Sequence, residues 1–333
     1  MPKNMPIEES DSIKKSYEHI SDELSKVIVG QTNLIQGLFI CLLCGGHALI
    51  EGVPGLGKTL VVKSLSKLLT LKYSRIQFTP DLMPADILGT NIVNQDMNGN
   101  RFFEFYKGPI FGQVILADEI NRASPKTQSA LLEAMQEERV TVFGKEYSLS
   151  PPFIVLATQN PLEMEGTYPL PEAQVDRFFF KLRVDYPNSH QFEEILEKTT
   201  EDYEPDLHEV LDGDAITKMK HLVKQVPIAS HIKQYAIRLV LATHPEDSFA
   251  VNKTKQYVRF GASPRAGQAM VMAAKVLALI KGRYNVDFED IQEVAKPALR
   301  HRIILNLKGT ADGMDTDEMI DDLLKGVPKK VKG

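Results

Sequence analysis

No tryptophan occurs in the 333 residues, cysteine occurs twice, and positive charge is outnumbered, with 39 Lys and Arg against 44 Asp and Glu and a net charge of −5. The shortages of cysteine and of positive charge bear on function. Two cysteines cannot build a disulfide framework, and nothing about them calls for an oxidising compartment. An acidic balance lacks the basic face of a general nucleic-acid binder, so no nucleic acid is expected as a partner. The longest apolar stretch, around residues 37–46, falls far short of the roughly 20 residues that cross a bilayer. The first residues are polar and acidic rather than a charged-then-apolar leader. A cytoplasmic protein without membrane insertion is the expectation.

The two cysteines, Cys41 and Cys44, form a Cys-x-x-Cys pair. Zinc would need four ligands, and no second Cys/His pair at suitable spacing accompanies them. A redox pair favours a helix start, where the dipole supports thiolate. This one sits at the apolar end of a helical segment, so buried packing is the expected role.

What is present is ordinary globular material: 43% hydrophobic and 25% charged residues, enough for a core, on a chain comfortable for two domains. Residues 13–43 read as helical, broken by a short loop at 27–31. The apolar run 47–51 reads as a buried strand, followed by a helix over 59–69 with Leu60, Val61, Leu65, Leu68 and Leu69 at helical spacing. Further strands are expected at 73–78, 114–117, 153–157 and 178–184, with a helix over 125–138 behind Ser124 as N-cap. Strands alternating with helices imply a parallel sheet covered on both faces.

Two β-hairpins interrupt that rhythm. One spans 91–106, with the turn signal Asn98-Gly99 and an aromatic return strand holding Phe102, Phe103, Phe105 and Tyr106. The other spans 139–149 and turns near Phe143-Gly144-Lys145. After Pro187 the composition changes to successive helices at about 189–200, 214–225, 231–244, 265–282, 287–295, 297–305 and 315–325, with no strand expected. The expected division is therefore an α/β nucleotide-binding core, 1–187, and an α-helical domain, 188–333.

The strongest chemical signal is Gly52-Val-Pro-Gly-Leu-Gly-Lys-Thr59, which fits G-x-x-x-x-G-K-[ST] between a buried strand and a helix. Glycines let backbone N–H groups turn inward around phosphate oxygens. The helix start aims its positive dipole end at the same anion. Lys58 reaches the β- and γ-phosphates, and the Thr59 hydroxyl is a ligand for Mg²⁺. Gly52, Pro54, Gly55, Leu56, Gly57 and Leu60 belong to the same wrap around the nucleotide.

Val114-Ile-Leu-Ala-Asp-Glu119 supplies the second half. A buried strand delivers two carboxylates at its C-terminal end, where ligands bind in open α/β sheets. Asp118 can hold the magnesium shell, and Glu119 can polarise the attacking water. Asn160, closing the next strand in Ala157-Thr-Gln-Asn160, is a candidate to orient that water or touch the γ-phosphate. Arg177, in Asp176-Arg177-Phe178, is a candidate arginine finger. ATP or ADP with Mg²⁺ is the expected cofactor set, and ATPase the expected activity.

With Val29-Gly-Gln31, Leu116-Ala-Asp-Glu-Ile-Asn-Arg122, Gln128-Ser-Ala-Leu-Leu-Glu-Ala-Met135, Leu170-Pro-Glu-Ala-Gln-Val-Asp-Arg-Phe178 and Ser263-Pro-Arg265 added, the chain resembles the MoxR branch of AAA+ ATPases over roughly residues 15–305. The resemblance implies a core with strand order 5-1-4-3-2 and a helical lid. It makes the two hairpins that branch's inserts. It assigns Val29, Gly30 and Gln31 to the adenine pocket, Asn160 to sensor 1 and Arg265 to sensor 2, acting on its own or on a neighbour's site. Arg122 either bridges subunits or forms a structural salt bridge. Arg177 would act on the next subunit's ATP, which implies a homo-oligomeric ring, a hexamer. Relatives are thought to act as chaperones on client or adaptor proteins, often with von Willebrand factor A domains, and to insert metal cofactors. Two other readings compete: a motor or loader on DNA, which wants a basic channel, and a small-molecule phosphotransferase, which wants an acceptor pocket and no ring.

Overall fold

The computed structural model describes residues 7–98, 100–161, 166–202 and 205–330. Gly99 of the expected Asn98-Gly99 turn lies outside them.

Two helices, α1 (Ile7–Ser25) and α2 (Thr32–Cys44), precede strand β1 (Ala48–Glu51). A Gly-rich turn leads into α3 (Lys58–Leu68) and then β2 (Tyr73–Gln77). The short α4 (Pro84–Leu88) opens a hairpin of β3 (Gly89–Gln95) and β4 (Arg101–Lys107), slightly longer than the expected 91–106. β5 (Val114–Asp118) is followed by α5 (Pro125–Glu137), whose first turn is capped by the Ser124 side chain accepting from the Thr127 N–H. The second hairpin, β6 (Arg139–Val142) and β7 (Lys145–Ser148), turns through Phe143 at φ 51° and Gly144 at φ 77°, two left-handed residues as a tight hairpin turn needs. β8 (Ile154–Gln159), α6 (Glu172–Val175) and β9 (Phe180–Arg183) complete the α/β part.

The five parallel strands run in the order β2-β5-β8-β1-β9. Counted along the chain as core strands 1 to 5 and read from the other edge, this is 5-1-4-3-2. Side chains alternate across a strand, and the two faces of the sheet carry separate apolar layers. Ala48, Ile50, Leu116, Leu156 and Leu182 face α1 and α2. Leu49, Ile115, Ala117, Val155 and Ala157 face α5 and the hairpin bases. Both faces are covered, which is why residues 114–117 read as an unbroken apolar run, and all five residues of β5, Asp118 included, are buried.

Beyond β9 come α7 (Ser189–Thr200), α8 (Gly213–Gln225), α9 (Ser230–Leu241), α10 (Asn252–Tyr257), β10 (Val258–Phe260), α11 (Pro264–Ile280), α12 (Phe288–Leu299), β11 (Ile304–Leu305), α13 (Leu307–Ala311) and α14 (Thr316–Gly326). Asn188 and Gln191 form the capping box at α7. The expectation of no strand here is wrong, because β10 and β11 pair antiparallel. Strands of three and two residues are too short to display a period of two. In place of the expected helices at 287–295 and 297–305 there is one helix, α12, with Pro297 inside its last turn, and Ile304–Leu305 of the second are strand β11. Proline removed one donor without ending the helix, which runs on to Leu299.

The first apolar layer does not stop at α2. It continues through Ile216, Leu239, Met270, Leu277, Leu299 and Ile320, so sheet face and C-terminal helices share one core. Ion pairs reinforce the join. Arg183 meets Asp315 at 3.0 Å and Asp317 at 3.3 Å, and Arg302 meets Asp176 at 2.8 Å. Cys41 is fully buried in this layer and Cys44 half-buried, and burial pushes both thiols up in pKa.

A candidate nucleotide-binding site

The turn after β1 takes the conformation the glycine pattern predicts. Gly55 at φ 86° and Gly57 at φ 74° are left-handed. A side chain at either would meet nothing, so the requirement is conformational rather than steric. Gly57 caps α3 without a side-chain bond, which leaves the first N–H groups of that helix directed at the turn. The Lys58 amine donates to the carbonyls of Gly52 and, at 3.2 Å, Val53. Pro54 and Gly55 are exposed at the rim, and Leu60 is 43% exposed.

β5 ends against this turn. The Thr59 hydroxyl donates to Asp118 Oδ2 at 3.4 Å, so the residues singled out in two distant motifs meet. Asp118 is 7% exposed and is held on both oxygens. Thr158 Oγ1 donates to Oδ1 at 2.6 Å, while Arg75 donates to Oδ2 from Nη2 at 2.7 Å and Nε at 3.2 Å. The Thr158 hydroxyl also accepts the backbone N–H of Glu119 at 2.9 Å. Glu119 sits at φ 56°, a costly conformation for a residue with a Cβ, and it turns the second carboxylate out of the strand line. Its Oε2 accepts from Gln77 Nε2 at 2.9 Å and from Arg122 Nη1 at 3.0 Å. Arg122 therefore makes a salt bridge to Glu119 within the chain. Arg75 also donates to Gln77 Oε1 at 2.6 Å, closing a network that joins the two carboxylates.

Arg75, Gln77 and Thr158 were not singled out in the sequence. The sequence held only part of the signal: Arg75 and Gln77 are two apart, hence on one side of β2, whereas the register that sets Gln77 opposite Asp118 comes from the structure. Asn160 follows β8 and is 6% exposed. It lines a cavity of about 410 Å³ with Asn121, Gln159 and Lys181. The Gly52 N–H donates to the Gln159 carbonyl at 3.3 Å, which ties this strand end to the phosphate loop.

The Val29-Gly30-Gln31 segment lies against the start of α7. Val29 is buried, Gly30 is left-handed at φ 71°, and a Cβ there would collide with the Gln191 side chain. Gln31 Nε2 donates to the Asp185 carbonyl at 3.4 Å.

The two arginines occupy a different place. Arg177 Nη1 donates to the Leu132 carbonyl at 3.3 Å, beside Glu133, Glu137 and Arg139. Arg265 Nη1 lies 3.2 Å from Asp176 Oδ2, next in the chain to Arg177. Asp176 also accepts from Ser263 at 2.9 Å and from the buried Arg302 at 2.8 Å. Burial works to raise the Asp176 pKa, but hydrogen bonds from Arg302 and Ser263, with the Arg302 charge, outweigh it and hold the group below its ordinary value. The chain thus gathers Lys58, Thr59, Asp118 and Glu119 at one place, and Arg177 and Arg265 at another.

Sheet order, phosphate loop and acidic strand end define a P-loop ATPase of the AAA type. Residues 47–180 match the model of the ATPase family associated with various cellular activities (AAA), and residues 252–323 match the AAA lid domain. The chain is 41% identical over 305 residues to chaperone MoxR1 of Mycobacterium tuberculosis, covering 92% of this chain and 80% of that one. It is 30% identical to protein MoxR of Paracoccus denitrificans over 304 residues, 85% of this chain and 87% of the other. A crystal structure of a candidate ATPase from Cytophaga hutchinsonii superposes with a TM-score of 0.89 at 43% identity, over 96% of this chain and 97% of that one. The chain belongs to the MoxR family of AAA ATPases. Among the described residues, no helix is long and apolar enough to cross a membrane.

Proposed function

We propose that the chain binds ATP with Mg²⁺ at the turn 52–59 and hydrolyses it between neighbouring subunits of a hexameric ring. The cycle remodels, matures or activates a partner protein in the cytoplasm. One observation carries this reading: the Thr59 hydroxyl and the Asp118 carboxylate meet at 3.4 Å beside the glycine turn. Two hard oxygen donors, leaving the remaining positions to phosphate oxygens and water, are the sparse set Mg²⁺ takes in phosphoryl-transfer sites. When bound, the ion supplies charge neutralisation between phosphate oxygens.

The protein groups divide the remaining work. Lys58 and the first N–H groups of α3 hold the phosphates. Glu119, aimed by its left-handed backbone and held by Gln77 and Arg122, orients and polarises the attacking water. Asn160 marks the γ-phosphate end of the site. Val29, Gly30 and Gln31 enclose the adenine with the start of α7. Residues 1–187 form the nucleotide-binding core and 188–333 the lid. Arg177 and Arg265, the latter held by Asp176 beside Arg177 in the chain, act on the next subunit's ATP, since both stand away from their own phosphate loop.

The chaperone reading rests on the relative named for that role and on the hairpin β3–β4. Val93 and Phe103 stand on one face of it, Phe102 and Tyr106 on the other, and all four are exposed. Only Phe105, near the base, is stacked, against Tyr147 at 4.3 Å. Aromatic side chains on both faces of a protruding hairpin suit contact with a client or adaptor, and a protein with a von Willebrand factor A domain is the first to test.

Calorimetry and phosphate release test the reading. Lys58→Ala should abolish ATP uptake, while Glu119→Gln should keep it and lose turnover. Binding by neither the parent nor Glu119→Gln in the presence of magnesium overturns the proposal, as does an activity that depends on DNA.

A further inference from the structure

Helix α7 leaves none of its residues buried, although its sequence is amphipathic. Phe192 and Leu196, four apart and hence on one face, are 54% and 47% exposed. Glu193 and Glu197 form an exposed acidic row beside them. The helix stands on the nucleotide side of the molecule: Gln191 covers Gly30, and β9, from which α7 follows, packs Val184 against Gly52.

On the arginine side, α9 and α11 enclose an almost wholly apolar groove of about 400 Å³, with Ala236, Val240 and Val271 in its walls. Ile237 and Leu241 line it while 47% and 43% exposed. Lys233, one turn before Ile237, closes one end, and its charge adds to burial in holding down the pKa of Lys275 nearby. The other wall begins at Pro264, the residue before Arg265. One face is therefore apolar with an acidic border, the other apolar with a cationic end.

We infer that Phe192 and Leu196 of one subunit dock in the α9–α11 groove of the next, with Glu193 and Glu197 facing Lys233. This rests on the head-to-tail ring proposed above. If Arg177 and Arg265 reach a neighbour's nucleotide, the edge that carries the groove meets the edge that carries α7. Such a contact is heterologous, using different patches on the two copies, and repeats around a closed ring. A client peptide in the same groove would need no matching face on this chain, and the matching face exists.

Cross-linking tests the contact on the full chain carrying Glu119→Gln, incubated with magnesium and ATP. With Leu196→Cys and Ile237→Cys together, a short bismaleimide should give a ladder of covalent multimers on a denaturing gel. Either cysteine alone, and the parent with its fully buried Cys41 and half-buried Cys44, should remain monomeric. Rings seen by light scattering without a ladder would overturn the docking and leave the ring standing. A covalent dimer from Leu196→Cys alone would replace it with a two-fold contact. Absence of any assembly would remove ring and docking together. As a second arm, Lys233→Glu should raise the protein concentration at half-assembly several-fold, and adding Glu197→Lys should recover it. Lys233→Glu that assembles normally but no longer retains a client would assign the groove to clients instead.

Discussion

Thr158 and Asp118 are joined by a hydrogen bond of 2.6 Å, and the same hydroxyl receives the backbone N–H of Glu119 at 2.9 Å. A single buried side chain on β8 thus fixes the direction of both carboxylates that end β5. Thr158→Val keeps the shape and removes the hydroxyl, leaving an unsatisfied N–H and one bare carboxylate oxygen. The expected cost is about 1–3 kcal/mol, read as a lower urea midpoint. Turnover should fall further than folding stability accounts for, with ATP affinity less affected. Unchanged turnover would show that Glu119 is aimed by other means.

Arg177→Ala should retain ATP and lose turnover by about 10³-fold or more, the scale of an arginine finger. Because the group is proposed to serve a neighbour, mixing this variant with Lys58→Ala should restore part of the activity. Turnover per parent subunit should rise with protein concentration. Normal turnover in dilute Arg177→Ala would remove the intersubunit site.

His47 bridges α5 and β8, its Nε2 donating to the Met135 carbonyl at 3.0 Å and its Nδ1 accepting the Val155 N–H at 3.0 Å. Burial lowers its pKa from 6.5 to about 4. Between those values the unfolded chain binds a proton that the folded chain refuses, so stability rises with pH there. The contribution is fully present above about pH 6.5, falls as the pH drops toward 4, and changes no further below it. Urea midpoints measured from pH 7 to 4 should decline less steeply for His47→Gln than for the parent.

Phe103→Ser with Phe102→Ser alters only exposed hairpin residues. Basal turnover and thermal stability should match the parent, within the small range typical of surface substitutions. Retention of the client by the Glu119→Gln trap, compared by affinity pulldown, should be lost.

What the sequence made legible was whatever a period or a turn could carry. β5 announced itself because burial on both faces demands apolar residues over 114–117, before the carboxylate of Asp118. The second hairpin did so because Phe143 and Gly144 occupy a turn that few residue pairs accept. The five-strand order came from resemblance rather than from any run of residues. The pair β10–β11 carried no period at all, and Pro297 misled because α12 tolerates the lost donor and continues to Leu299, with Ala295, Ala298 and Leu299 buried around it. Arg75 and Gln77 were passed over since polar residues at a strand end are ordinary. Only the register that sets Gln77 opposite Asp118 gives them meaning.

The apolar layer that runs from Ile50 and Leu182 through Met270 and Leu299 to Ile320 has a practical outcome. A fragment stopped after β9 would strip one side of the sheet of its coat, and the severed helices would present the matching oily face to water. Neither half is equipped to live alone. Heating should therefore melt the chain in a single step, and anyone wishing to work with an isolated ATP-binding half would have to redesign that side first.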